Sequence, residues 1–171
     1  MKTSKLLSLA VAGAFLASCG NGNNSNSNKS GAMGASDAAS RVYVAPGEYD
    51  EYYAFLSGGF SGQLATYGLP SGRLLKVIPV FSQDPEKAYG YNEETKPLLQ
   101  TTHGFIPWDD THHPDLSQTN GEVDGRWIFI NANNTPRVAR ISLKTFETEE
   151  ILELPNAAGN HSSTFVTENT E

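Results

Sequence analysis

Cysteine is nearly absent from this chain: Cys19 is the one thiol in 171 residues. A single thiol forms no internal disulfide and leaves any metal site to histidine, carboxylate or backbone donors. Basic clusters are missing as well. Twelve Lys and Arg stand against nineteen Asp and Glu, a formal charge of −7, and without clustered cations there is no footprint for a nucleic-acid backbone. No apolar run is long enough to cross a bilayer. No segment holds a helical apolar period over about ten residues either, which argues against an architecture of amphipathic helices.

What is present starts with an address. Lys2 and Lys5 precede the apolar run Leu6–Leu16, and Ala17-Ser18-Cys19 follows. A basic start, a short apolar run and small residues form a secretory signal, expected over 1–18. Leu16-Ala17-Ser18-Cys19 resembles a bacterial lipobox, with Cys19 as the lipidated first residue of the mature chain and several acyl chains as a stable membrane anchor. No twin-arginine pair precedes the run, so export is expected by the Sec route as an unfolded chain, with any cofactor inserted afterwards. Residues 19–40 are Asn, Ser, Gly and Ala with little to bury and read as a flexible tether. The folded part is expected over 41–171.

That part reads as all-β. Short candidate strands Ala54–Leu56, Gln63–Tyr67 and Arg73–Val80 are separated by Ser57-Gly58-Gly59 and Leu69-Pro70-Ser71-Gly72. Asp124-Gly125 is expected to be a hairpin turn before Trp127–Asn131. Asn133-Asn134-Thr135-Pro136 turns the chain into Arg137–Leu143, Thr145–Thr148 turns it into Glu149–Leu154, and Ser163–Thr167 is a last candidate. Strands at this spacing suit a sandwich, a barrel or a propeller.

The candidate chemistry is concentrated in Trp108-Asp109-Asp110-Thr111-His112-His113-Pro114. Neighbours on a regular strand point to opposite faces, so His112 and His113 cannot share one ion from an ideal strand. Pro114 biases His113 towards an extended conformation. The pair therefore suits either an irregular loop or a cluster of several metal atoms, with Asp109 and Asp110 placed to orient the rings. Imidazole without thiolate suits copper, zinc, iron or nickel. His161 follows His112 by 49 residues, the length of one four-stranded propeller blade, and both sit in polar loops before extended stretches. His103 reads as a loop histidine, and Trp108 and Trp127 as packing residues. Arg126, Arg137 and Arg140 are placed to pair with Asp124, Asp115 or Glu122. Ser117 and Thr119 lack any oxyanion motif, which sets a hydrolase aside.

Taken together, Asp110-Thr111-His112-His113-Pro114, Asp124-Gly125-Arg126-Trp127-Ile128-Phe129-Ile130-Asn131, Arg137-Val138-Ala139-Arg140-Ile141 and Gly159-Asn160-His161-Ser162-Ser163 resemble nitrous oxide reductase. The signal and the third histidine site are similar to the Sec-exported second branch of that family. The resemblance implies a seven-bladed β-propeller followed by a cupredoxin domain. It implies a tetranuclear copper–sulfide centre held by seven histidines, of which His112, His113 and His161 match the first three. It also implies reduction of N2O to N2 and water in the periplasm by a homodimer. Electrons would enter from a donor such as a c-type cytochrome through a dinuclear copper centre in the cupredoxin domain, and any calcium would lie outside this region. On that reading the chain supplies the N-terminal blades only and is inactive alone. The rival is a non-enzymatic, lipid-anchored β-propeller that binds peptides or sugars and needs no histidines at these positions.

Overall fold

A computed structural model describes residues 38–159 and 167–170. Cys19 and the signal, most of the tether, His161 and the greater part of the candidate strand Ser163–Thr167 lie outside the described residues. A helical turn, α1 (Ala38–Arg41), straddles the expected start of the folded part and buries nothing. Among the described residues after it, the regular structure is β-strand apart from one short 3-10 turn.

The first sheet joins β1 (Tyr52–Ser57), β2 (Gln63–Leu69) and β3 (Leu74–Pro79) as an antiparallel meander. Alternation along β2 turns Leu64 and Thr66 inwards, as a half-buried strand requires. The β2–β3 turn contains a cis Leu69–Pro70 bond. It is gripped by Asp50, whose carboxylate accepts from Ser71 N, Ser71 Oγ and Arg73. A long connection follows, carrying a short 3-10 turn, Lys96–Leu99, and the two-residue strands β4 (Gln100–Thr101) and β5 (Gly104–Phe105). His103 lies in the β4–β5 turn, exposed, as expected of a loop histidine.

The second sheet is a four-stranded antiparallel meander: β6 (Thr111–Thr119), β7 (Glu122–Ala132), β8 (Arg137–Ser142) and β9 (Glu147–Glu153). Ile128 and Ile130 of β7 and Ala139 and Ile141 of β8 meet Leu64, Ile78, Val80 and Phe81 in one core between the sheets, all of them at zero exposure. Burying a side chain of this size contributes about 1.5–3 kcal/mol. The sheets are also stitched by polar contacts: Thr148 Oγ1 donates to the Pro79 carbonyl (2.8 Å), and Thr111 N donates to Gly59 O (3.0 Å).

Two local expectations are corrected. The β6–β7 hairpin turns at Asn120-Gly121, not at Asp124-Gly125. Asn120 and Gly121 both have positive φ (53° and 78°) between the paired Thr119 and Glu122, the backbone a tight hairpin demands. Asp124-Gly125 lies within β7 as a bulge, where pairing jumps from Leu116↔Ile128 to Gln118↔Val123. Asp124 holds that bulge together, accepting from Ser117 Oγ, Thr119 Oγ1 and Arg126 Nε. Hydrogen bonds from Arg126, first, and from Ser117 and Thr119 keep its carboxyl well below the ordinary range.

The second correction concerns His113, which is not extended. Its φ is +46°, and the β6–β7 register shifts between His112 and Asp115. A bulge has overridden the bias that Pro114 exerts on its neighbour. His is among the few non-glycine residues that enter this region with any frequency. His112 itself is the second residue of β6, paired with Asn131 of β7, rather than part of a preceding loop.

Candidate metal centre

The site is anchored one residue before the histidines. Thr111 has no exposed surface. Its Oγ1 donates to the Gln63 carbonyl at 2.8 Å, and its own carbonyl accepts from Ser57 Oγ. The first sheet thus fixes the point from which β6 starts. Two residues on, the bulge breaks the strand's strict alternation. The His112 and His113 rings lie with centroids 5.7 Å apart, tilted by 46°. A regular strand would have sent them to opposite faces. β6 is an edge strand, so the pair stands at the rim of the sheet rather than in its middle.

Asp110 is the carboxylate that meets His112. Its Oδ2 lies 3.2 Å from His112 Nε2, with the Asp110 side chain 4% exposed and that of His112 28%. Burial alone would push the Asp110 carboxyl up, but hydrogen bonds from His112 and Asn133 outweigh it and hold the group below its usual range. An ionised Asp110 accepts, so Nε2 of His112 donates. In the neutral ring Nδ1 is then the nitrogen with the lone pair.

Asp109, expected beside the rings, is engaged elsewhere. Its carboxylate accepts from Asn134 N (3.0 Å), Asn134 Nδ2 (2.9 Å) and Thr135 Oγ1 (2.5 Å). It also faces Arg137 at 3.5 Å, both side chains being 1% exposed. Arg137 was expected to pair with Asp124, Asp115 or Glu122. It lies instead on the core face of β8, its guanidinium 5.1 Å from the Phe81 ring. Arg126 does pair with Asp124 (2.7 Å). Arg140 reaches Glu150 at 3.3 Å and stacks over Trp127 at 4.5 Å.

The connection from β7 to β8 completes the surroundings. Asn133 Nδ2 donates to Asp110 Oδ2 (3.2 Å), and Asn134 Nδ2 reaches Asp110 Oδ1 (2.5 Å). In the sequence these asparagines read only as a turn. The signal in the sequence was the doubled amide itself, more donors than a two-strand turn needs. Among the described residues, no three His, Cys, Asp or Glu side chains converge on one point. His112 and His113 bring two imidazoles together at the rim of the sheet.

The chain is 40% identical over 153 residues to the nitrous-oxide reductase of Pseudomonas fluorescens, covering 89% of this chain and 24% of that protein. It is homologous to the nitrous-oxide reductases. The nitrous-oxide reductase of Stutzerimonas stutzeri matches at 36% over 152 residues, again 89% of this chain and 24% of that protein. That of Cupriavidus necator matches at 40% over 136 residues, 77% of this chain and 21% of that protein. The chain therefore spans about a quarter of the length of the curated nitrous-oxide reductases it matches. No protein-family model matches it.

Proposed function

We propose that this chain is part of a nitrous-oxide reductase, reducing N2O to N2 and water, and that it contributes His112, His113 and His161 as ligands of a tetranuclear copper–sulfide centre. The homology over most of the chain carries this reading. The histidine geometry supports it: two imidazoles at the sheet rim, one of them backed by a buried carboxylate, make a donor set that fits copper. Gly159 lies against the carbonyls of Asn133 and Asn134, so the described chain leaves beside the connection that holds Asp110, two residues before His161 in sequence. When bound, copper supplies the electrons and the Lewis acidity that N–O cleavage requires. The protein's part is positioning. Asp110 fixes the His112 ring, the bulge at His113 brings the second ring alongside, and Thr111 ties both to the first sheet.

The rest of the reading follows from the same assignment. The two antiparallel meanders are consecutive blades of a seven-bladed propeller, preceded by a signal at 1–18 and a tether at 19–40 and followed by a cupredoxin domain with a dinuclear copper centre. The protein is Sec-exported to the periplasm, lipid-anchored through Cys19, homodimeric and supplied with electrons by a c-type cytochrome or similar donor. The non-enzymatic binding protein gains nothing from the comparisons, since the relatives named above are reductases.

The test is copper content and the visible absorption of the cluster in the full-length protein carrying His112→Ala or His113→Ala. The expected outcome is loss of the cluster with the dinuclear centre retained. Full retention of the cluster in both variants refutes the ligand assignment.

A further inference from the structure

We propose that Asn133 and Asn134, on the connection between β7 and β8, are positioning residues of the histidine site, their two carboxamides clamping Asp110 against His112. This rests on the reading of His112 as a ligand, but its geometry stands apart from any metal.

Asp109 and Asp110 are consecutive carboxylates, both almost fully buried. Like charges this close repel strongly where water is excluded, and each needs donors. Asn134 supplies one group to both: its Nδ2 reaches Asp109 Oδ1 at 2.9 Å and Asp110 Oδ1 at 2.5 Å. Asn133 Nδ2 reaches the other oxygen of Asp110, Oδ2, at 3.2 Å, the same oxygen that accepts from His112 Nε2. Its backbone N–H donates to the Asp110 carbonyl at 3.2 Å. Asp110 is therefore held at both oxygens and at its main chain by one short segment, with His112 Nε2 a further donor to Oδ2. The segment is held in turn, since Asn134 N and Thr135 Oγ1 donate to Asp109, which faces the buried Arg137. The direction of the Asp110 carboxylate, and with it which nitrogen of His112 carries the proton, is set by side chains from a different strand pair.

Asn134 is exposed and Asn133 half-buried, so truncating either opens no core cavity. The experiment is magic-angle-spinning NMR of copper-free, full-length protein labelled with [15N]histidine, with His112 assigned by difference from His112→Gln. In the unmodified protein the His112 ring carries its proton on Nε2. Asn134→Ala and Asn133→Ala each let the Asp110 carboxylate turn away from His112 and lower the Nε2–H to Nδ1–H ratio, by roughly tenfold where the His112–Asp110 hydrogen bond to a charged acceptor is lost. A purely structural role would lower thermal stability and leave the ratio alone. Should Asn134→Ala fail to fold, Asn133→Ala, which keeps the backbone bond to Asp110, decides the matter. An unchanged ratio in a folded variant overturns the proposal, whatever the copper content. A shifted ratio with copper bound independently of His112 upholds the clamp and refutes the ligand assignment instead.

Discussion

Gly62 is the position where one added carbon does most damage to this site. Its φ is +66°, a region that costs an L-residue about 1–2 kcal/mol. A Cβ there would stand 2.5 Å from the Asp109 carbonyl oxygen and 2.8 Å from Ser82 Cβ, and closer still to Ser82 Oγ. Two of these obstacles are backbone or the root of a side chain, so they give way only by moving β6's approach or β3's exit. Overpacking of this kind costs about 1–3 kcal/mol, and the lower entropy of the unfolded alanine chain offsets about 0.4–1 kcal/mol. The net for Gly62→Ala is about 2–4 kcal/mol, or roughly 30- to 1,000-fold in an opening equilibrium. The readout is native-state hydrogen exchange of full-length protein. Val80 N and Phe81 N both donate to Gly62 O, at 3.1 and 2.9 Å, and Thr111 N donates to Gly59 O at 3.0 Å. These three amides should lose protection together. Gly72→Ala is the control: its φ is +69° with nothing within 4 Å of the added carbon, so only the backbone cost applies. Equal loss of protection in the two variants would refute the claim that close approach to Asp109, rather than φ, makes Gly62 irreplaceable.

Two further perturbations probe the charges. Arg137→Met leaves Asp109 buried without its cation and should cost about 3–5 kcal/mol in thermal or denaturant unfolding. Adding Asp109→Asn should recover much of that loss, and strict additivity of the two changes would refute their coupling. Asp124 has a folded-state carboxyl held below its unfolded value, so its stabilisation is present above the ordinary carboxylate range and is lost as pH falls through the lowered one. The protection factor at Trp127, whose N–H donates to Ser117 Oγ at 2.9 Å, should fall on acidification through the lowered range. In Asp124→Asn it should be low already and nearly independent of acid pH.

The strands were legible where alternation and turn residues agreed. β2, β3, β8 and β9 fall within a residue or two of their expected bounds because Leu64, Thr66, Ala139 and Ile141 recur at period two between Gly- and Pro-containing turns. The hairpin was misplaced because Asn120-Gly121 and Asp124-Gly125 carry the same local signal. Only the side-chain bonds of Asp124 to Ser117 and Thr119 show which one is the bulge. At the site, the histidine pair and Asp110 could be read from adjacency. The separation of Asp109 from Asp110 could not, because it depends on where Arg137 lands once the two sheets pack. The conformation of His113 runs against its own local rule, and the register of β7 decides it.

The pairing of Arg137 with Asp109 bears on the order in which such a site is assembled. In many small metal sites the ion supplies the charge that lets acidic ligands come together, and the empty polypeptide unfolds. Here the buried negative charge meets a guanidinium and a set of amides that the chain itself provides. The buried carboxylates beneath the histidines are thus partnered by groups that fold with them, one guanidinium and a set of amides, so the scaffold's folding does not depend on an ion to neutralise them.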